Sequence, residues 1–262
     1  MSIVTDDDVT AMKTDRLVGL AKTYLDGFEP SDPLILQKLK AAEAELKREL
    51  RVLLEPTTIF PYTPTEEEIG ALDGEPYLEE PGYDYDPEFF RAERWGYIVA
   101  RQHPIISVEF VRFAYPAPTT QFFALPSDWL RIDKKYGHIR MVPASSSFAA
   151  PLGAFLLQAL GGGSTIPSMI QVKYKAGLAN AREDFPDLID LLYKKASLSL
   201  IEDQFVPGGG SISADGLSQS FSVKLQDYRD MVDRKMNGPK GANGGLFTAI
   251  HGIQAGFLGT MA

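Results

Sequence analysis

Apolar and polar positions alternate most cleanly over residues 169–176, where Ile170, Val172 and Tyr174 fall on one side of an extended segment and Gln171, Lys173 and Lys175 on the other. That period of two predicts a half-buried strand. Ala176-Gly177 stops it, and Asp184, Phe185 and Pro186 launch a helix, because a proline in the first turn forfeits no hydrogen bond. Leu188, Leu192, Ala196 and Leu200 recur every four residues, with Ile189, Leu191, Leu198 and Ile201 widening the stripe. The pattern predicts a core helix.

The N-terminal part has the same helical period. Thr5 followed by Asp6, Asp7 and Asp8 reads as an N-cap with acids at the positive end of a helix, continued by Val9, Met12, Leu17, Leu20, Ala21, Tyr24 and Leu25 up to Gly27. Asp32-Pro33 opens a second helix with Ile35, Leu39, Ala42, Leu46, Leu50 and Leu53 on one face. The short connection predicts an antiparallel hairpin over 1–55.

Pro56 breaks this pattern. Six prolines lie between Glu55 and Phe90, and Glu66–Glu88 holds ten acids and no basic residue, interleaved with Tyr77, Tyr83 and Tyr85 and preceded by Tyr62. Such a stretch has too few apolar groups to offset an ordering cost of roughly 1–2 kcal/mol per residue. Residues 56–96 therefore read either as a flexible linker or as an arm that orders on a neighbour, with Tyr62, Tyr77, Tyr83 and Tyr85 as inter-subunit anchors.

Residues 97–167 read as a β-rich insertion. Ile106, Val108, Phe110 and Arg112 alternate with Ser107, Glu109, Val111 and Phe113, and 129–142 reads as a hairpin turning at Gly137 before Pro143. The apolar, glycine-rich stretch around 145–167 fits a short helix or an extended loop equally. Pairing of Ile170–Tyr174 with the middle strands would join the pieces. A last helix begins at Ser222, carries Leu225, Tyr228, Val232 and Met236 on one side, and stops at Gly238-Pro239. The glycine-rich tail 238–262 is too apolar at Leu246, Phe247, Ile250, Ile253, Phe257 and Leu258 to be a solvated end. It either folds back on its own core or docks on a partner.

The fold class is thus α+β: a helical bundle core of two N-terminal and two C-terminal helices, the latter within 168–237, with a long acidic arm and a β-rich insertion. Of the chain's 262 residues, 44% are apolar, enough for a full core, and none is cysteine, which excludes disulfides and thiolate metal sites. No apolar run is long enough to span a bilayer and the N-terminus lacks a signal-peptide pattern, so a soluble protein is expected. Residues 1–96 carry a net charge of −12 and the remainder +3. That balance repels duplex DNA and argues against sequence-specific nucleic-acid binding.

Tyr174-x-Ala176-Gly177 closing a strand, a polar linker, Pro186 opening a long Leu/Lys/Ala helix, then a Gly/Ser loop and another helix resemble the head-to-tail adaptor (connector, head-completion) proteins of tailed bacteriophages. The resemblance covers the last third of the chain and, loosely, the first 55 residues, with Tyr174, Ala176, Gly177 and Pro186 as its motif. It implies a structural virion protein of the neck, made in the host cytoplasm. A dodecameric homo-oligomeric ring would sit beneath the portal protein, with a stopper or tail-completion protein on the other side and genomic DNA passing non-specifically through the lumen. The tail, through Leu246, Phe247, Ile250, Ile253, Phe257 and Leu258, would dock on the portal. The segment 56–167 exceeds what the family explains.

No catalytic signature accompanies it. Gly161-Gly162-Gly163-Ser164 and Gly208-Gly209-Gly210-Ser211 lack the lysine and following hydroxyl of a phosphate loop, as does the region around Lys240. His103, His138 and His251 are scattered, and Ser213, Asp215 and His103 form a triad only on paper. Glu66, Glu67 and Glu68, or Asp84 and Asp86, lie in the proline-broken stretch, a poor base for a preorganised site. The expectation is no enzyme, no cofactor, no metal and no membrane partner. The alternatives are another tail or baseplate component, or an acidic cytosolic enzyme with its site in the β-rich region.

Overall fold

The computed structural model describes residues 2–17, 29–86, 96–115, 121–142, 165–204, 212–214, 217–219, 225–239 and 244–252. It is a mixed α+β protein. In chain order its elements begin with α1 (Asp6–Ala11), a π turn (Met12–Arg16) and α2 (Asp32–Leu50). Next come β1 (Thr57–Phe60), α3 (Glu66–Gly70), β2 (Tyr77–Glu79), β3 (Tyr83–Tyr85) and β4 (Gly96–Val99). β5 (Ile105–Tyr115), β6 (Gln121–Ala124), β7 (Leu130–Asp133), β8 (His138–Met141) and β9 (Ile166–Ala176) complete the strand-rich part. The remainder is α4 (Ala181–Asp184), α5 (Pro186–Gln204), the hairpin β10 (Ile212–Ala214) and β11 (Leu217–Gln219), α6 (Leu225–Asn237) and α7 (Gly245–His251). These elements fall into two compact units, residues 52–179 and residues 2–51 with 180–262.

In the unit of residues 52–179, β9 is the hub. It pairs antiparallel with β5 on one side and with β1 and β3 on the other, giving the order β2-β1-β9-β5-β6 with β3 beside β1. The expected pairing of Ile170–Tyr174 with a middle strand is present: Ile170, Val172 and Tyr174 lie opposite Phe113, Val111 and Val108. Their side chains form one core with Ile59, Ile105 and Ala176 and with Ile98, Ile139 and Met141 of the second, antiparallel sheet β4-β8-β7. Gly137 turns the β7–β8 hairpin with φ +71°, as the sequence requires.

Two expectations fail here. Strict alternation in β5 puts Val108 and Val111 on opposite faces, but bulges at Ile106 and Glu109 insert an extra residue each, so Ile105, Val108, Val111 and Phe113 all oppose core positions of β9. A bulge leaves no mark in a hydrophobic pattern that already reads as alternating. The second concerns 56–96. Thr57–Phe60 is fully buried, β2 runs parallel to β1, and Tyr83 and Tyr85 pair with Ile170 and Ile166. Residues 57–85 hold three strands of the sheet and a short helix and are not a free arm, because backbone ladders and a few polar anchors supply the ordering that the side-chain composition lacks.

In the unit of residues 2–51 and 180–262, α2 packs on α5 and α5 on α6. Ile35, Leu39, Ala42, Leu46 and Leu50 of α2 and Leu188, Leu192, Ala196 and Leu200 of α5 are buried, as their spacing predicts. α5 starts at Pro186 and α2 has its proline in the first turn. Leu53 follows the helix, which ends at Arg51 in a left-handed conformation (φ +52°). The carbonyl of Leu50, orphaned by that ending, accepts a hydrogen bond from His251 Nε2 of α7. α6 is described from Leu225 and buries Val232 and Met236, while Ser222–Lys224, where the helix is predicted to begin, lie outside the described residues. Leu20–Gly27, the loop 145–164 and most of 205–224 lie outside the described residues.

Gly177, with φ +112°, follows β9 where a Cβ would come 2.3 Å from the Glu55 carbonyl oxygen and 2.9 Å from that of Leu53. Gly177→Ala is expected to lower the urea midpoint by more than an ordinary point substitution of about 1 kcal/mol, while Ile189→Val on the half-buried flank of α5 changes it little.

Candidate interaction surfaces

The first group of functional candidates, Tyr83, Tyr85 and Tyr174, belongs to the sheet unit. Tyr174 is 1% exposed. Its hydroxyl accepts from the Gln102 backbone N–H at 3.2 Å and donates to Glu80 Oε2 at 3.2 Å, while Gln102 Nε2 donates to Glu80 Oε1 at 2.8 Å. Burial, then the neighbouring Tyr83 and the Glu80 charge, push the Tyr174 phenol upward, so it stays a neutral donor. Tyr83 is held likewise: its hydroxyl accepts from the Arg101 N–H at 3.0 Å, and the Arg101 guanidinium lies 4.3 Å over its ring and donates to the Gly82 carbonyl at 3.2 Å. Tyr85 packs edge-on against Phe113. These two tyrosines anchor 80–85 to their own unit, whatever else they touch.

Tyr62 and Tyr77 lie on the opposite, outer face of the same sheet. Tyr77 is 37% exposed and meets buried Phe60 edge-on. The Tyr62 hydroxyl donates to Glu68 Oε1 at 2.7 Å; burial and that carboxylate raise it to about 12, and the hydroxyl in turn holds Glu68 below its ordinary value. Across this face run cations on rings. The Arg112 guanidinium sits 3.9 Å from the Phe122 ring centroid, 4.6 Å from Phe110 and 5.0 Å from Tyr62, and Lys173 Nζ lies 4.7 Å from Phe60. Lys173 is also paired with Glu109 at 2.9 Å and Glu68 at 3.7 Å. Arg112 donates from Nε to Gln171 and, among the described residues, has no carboxylate partner. Stacking of this kind holds a half-buried charge without neutralising it. The alternation in the sequence already put Phe110 and Arg112 on one face; what it did not show is that Phe122, Tyr62 and Lys173 meet them there.

The helical unit carries the tail candidates. Leu246 and Ile250 are buried, and Phe247 is half-buried against the His251 ring at 4.6 Å. The part of the tail expected on a partner is therefore built into its own unit as far as His251, while Ile253, Phe257 and Leu258 lie outside the described residues. Its glycines are what permit this. A Cβ on Gly245 would come 2.5 Å from Gly238 N, so the chain doubles back onto the end of α6 with glycine at both points.

Two carboxylates in this unit are ringed by donors. Burial alone would raise Asp8, but hydrogen bonds from Tyr193 Oη (2.5 Å), the Thr5 N–H (2.7 Å), the Thr5 hydroxyl and Arg182 leave it below the usual range. Asp190 is likewise opposed by burial, yet Lys194 and Lys235, each at 2.5 Å, bring it to about 2, with Arg16 at 3.1 Å. A groove of about 560 Å³ between α2, α5 and α6 is lined by Glu45, Glu49, Lys195 and Arg229, among others. Lys195 there is saturated, at 2.7 Å from Glu45 and 2.8 Å from Glu49.

Little else converges. His103 and His138 belong to the sheet unit and His251 to the helical one. Among the described residues no group of His, Asp and Glu is arranged to hold a metal, and no helix is long and apolar enough to cross a membrane. Of the paper triad, Ser213 is in β10 and Asp215 lies outside the described residues, as do both triple-glycine loops and Lys240. Glu68 caps its own helix at Thr65, and Asp84 accepts from the Ser168 N–H at 2.8 Å.

Tyr174→Phe leaves Glu80 and the Gln102 N–H short of a partner and is expected to cost about 1–3 kcal/mol in chemical denaturation. A carboxylate with a depressed pKa stabilises the fold above its unfolded value near 4 and loses that contribution as pH falls through its folded value. The stability gap between the wild type and Asp190→Asn is therefore full at pH 6 and closes between about pH 4 and pH 2, the latter being the folded value of Asp190. A gap independent of pH over that range would show that Asp190 is not held by its lysines. No family model matches this chain, and no curated protein matches it.

Proposed function

We propose that the chain is a structural protein of a tailed-phage virion: a head-to-tail adaptor whose copies close into a ring beneath the portal and offer a platform to the next neck protein, with DNA passing through the lumen. The observation that carries this reading is the order and geometry at the end of β9. Tyr174, Ala176 and Gly177 close the strand, α4 bridges to Pro186 at the head of α5, and a β10–β11 hairpin separates α5 from α6. That is the strand, helix, loop and helix order on which the resemblance rests.

In this reading the helices of residues 2–51 and 180–262, with the end of β9 that leads into them, carry the adaptor-like order, and the segment from about Pro56 to Pro167 is an insertion. β9 itself, expected with the helices in 168–237, is paired within the sheet unit. The assembly mechanism is sequential: a segment that is ordered by the portal creates the surface for the following protein, which costs affinity and gives order of addition. Since α7 covers its own unit, the portal-contacting part of the tail narrows to the residues after Gly252, with Ile253, Phe257 and Leu258 as the apolar anchors.

Negative-stain electron microscopy of the full chain mixed with portal rings of its phage tests the proposal. A ring of added density on the portal is expected for the full chain, and its loss or weakening for a chain ending at Gly252, which keeps α7. No added ring on the portal with the full chain would overturn the adaptor reading.

A further inference from the structure

Among the described residues, the sheet of residues 52–179 ends in two unlike edges. At one, β2 exposes Tyr77 by 37% and Leu78 by 40%, and the exposed Glu79 has a single hydroxyl partner, Thr63 Oγ1 at 2.9 Å. At the other, β6 (Gln-Phe-Phe-Ala) holds no charge and no proline, exposes Phe122 by 50%, and borders the ring-stacked Arg112. Edge strands are commonly guarded by a charge, a proline or a bulge, because an open row of N–H and C=O groups recruits another strand. β6 has no such guard in its four residues.

We propose that the β2 edge of one copy docks on the β6 edge of the next, continuing the sheet from subunit to subunit, with the Glu79 carboxylate received by Arg112. This rests on the ring reading above and assigns its subunit contact. Three observations carry it. Strand directions fit: β2 runs with β1, β1 opposes β9, β9 opposes β5 and β5 opposes β6. β2 and β6 therefore run oppositely, and a copy moved along the sheet without being turned over presents β2 antiparallel to β6. The faces fit: Tyr77 and Glu79 lie opposite Thr58 and Phe60 on the outer face, and Phe122 lies on that face beside Arg112, opposite Ala114. Charges fit as well, an under-partnered carboxylate meeting a guanidinium whose terminal nitrogens have no partner among the described residues. Two different edges meeting head to tail make a heterologous contact, the kind that closes rings.

The chain has no cysteine, so Tyr77→Cys/Phe122→Cys carries the only two thiols. On portal rings, with a short bismaleimide, the double variant is expected to give a ladder of integral multiples of the chain mass, and each single variant to give none. Glu79→Lys changes an exposed side chain and leaves the buried core of the sheet untouched. It is expected to weaken ring formation at least about tenfold, as is Arg112→Glu, with recovery in the Glu79→Lys/Arg112→Glu pair. Wild-type rings on the portal together with no ladder and no effect of Glu79→Lys would overturn this contact and leave the adaptor reading standing. No wild-type ring would overturn both. Adducts of chain to portal only would assign the β6 edge to the portal and overturn the copy-to-copy contact.

Discussion

A hydroxyl buried in the middle of a sheet has to be paired, and the Tyr174 hydroxyl decides the architecture around it. An unpaired buried polar group costs about 1–3 kcal/mol, and the groups that spare this one come from far away in sequence: Glu80, 94 residues upstream, and the N–H of Gln102, 72 residues upstream. Glu80 is itself bonded by Gln102, and the neighbouring Tyr83 and Arg101 repeat the arrangement with a backbone N–H, a ring face and a carbonyl. One network thus binds the acidic segment and the loop before β5 to the same strand. With 80–83 held in place, β3 lies along one half of β9 and β1 along the other.

Two bulges bring Val108 of β5 to the core face together with Ile105, Val111 and Phe113. Each gives β5 one residue more than β9 over the paired stretch, so a core position is reached after three residues instead of two. Phe110 and Arg112 end up on the outer face beside Phe122, Tyr62 and Lys173. Lys173 on this surface is paired with Glu68 and Glu109, whereas Arg112 is held against rings, which leaves apolar area and an unspent charge beside a sheet edge.

The helical unit is organised on a different principle. Its apolar stripes are continuous and its ionic groups are spent internally: Lys195 on Glu45 and Glu49, Arg229 on Glu202, and Lys194 and Lys235 on Asp190. The chain end returns through a pair of glycines to place His251 under the last turn of α2. A tail that looked too apolar for solvent has a mundane first duty, which is to cover α6 and cap a helix.

Local chemistry sufficed for the periodic elements. The four-residue stripe of α5, the proline that opens it, the acids at the head of α1, the Gly137 turn and the alternation of β9 each depend on neighbours within a few residues, and each is legible as text. Tertiary structure alone decided the rest. Short strands such as Tyr77–Glu79 exist because a ladder partner is present and not because of their composition, the bulges in β5 are visible only against the register of β9, and the burial of Glu80 depends on a hydroxyl 94 residues away. Periodicity reports which faces are greasy. It carries no information about which distant backbone or hydroxyl will satisfy a polar group, and in this protein that pairing turned an acidic, proline-broken stretch into part of a sheet.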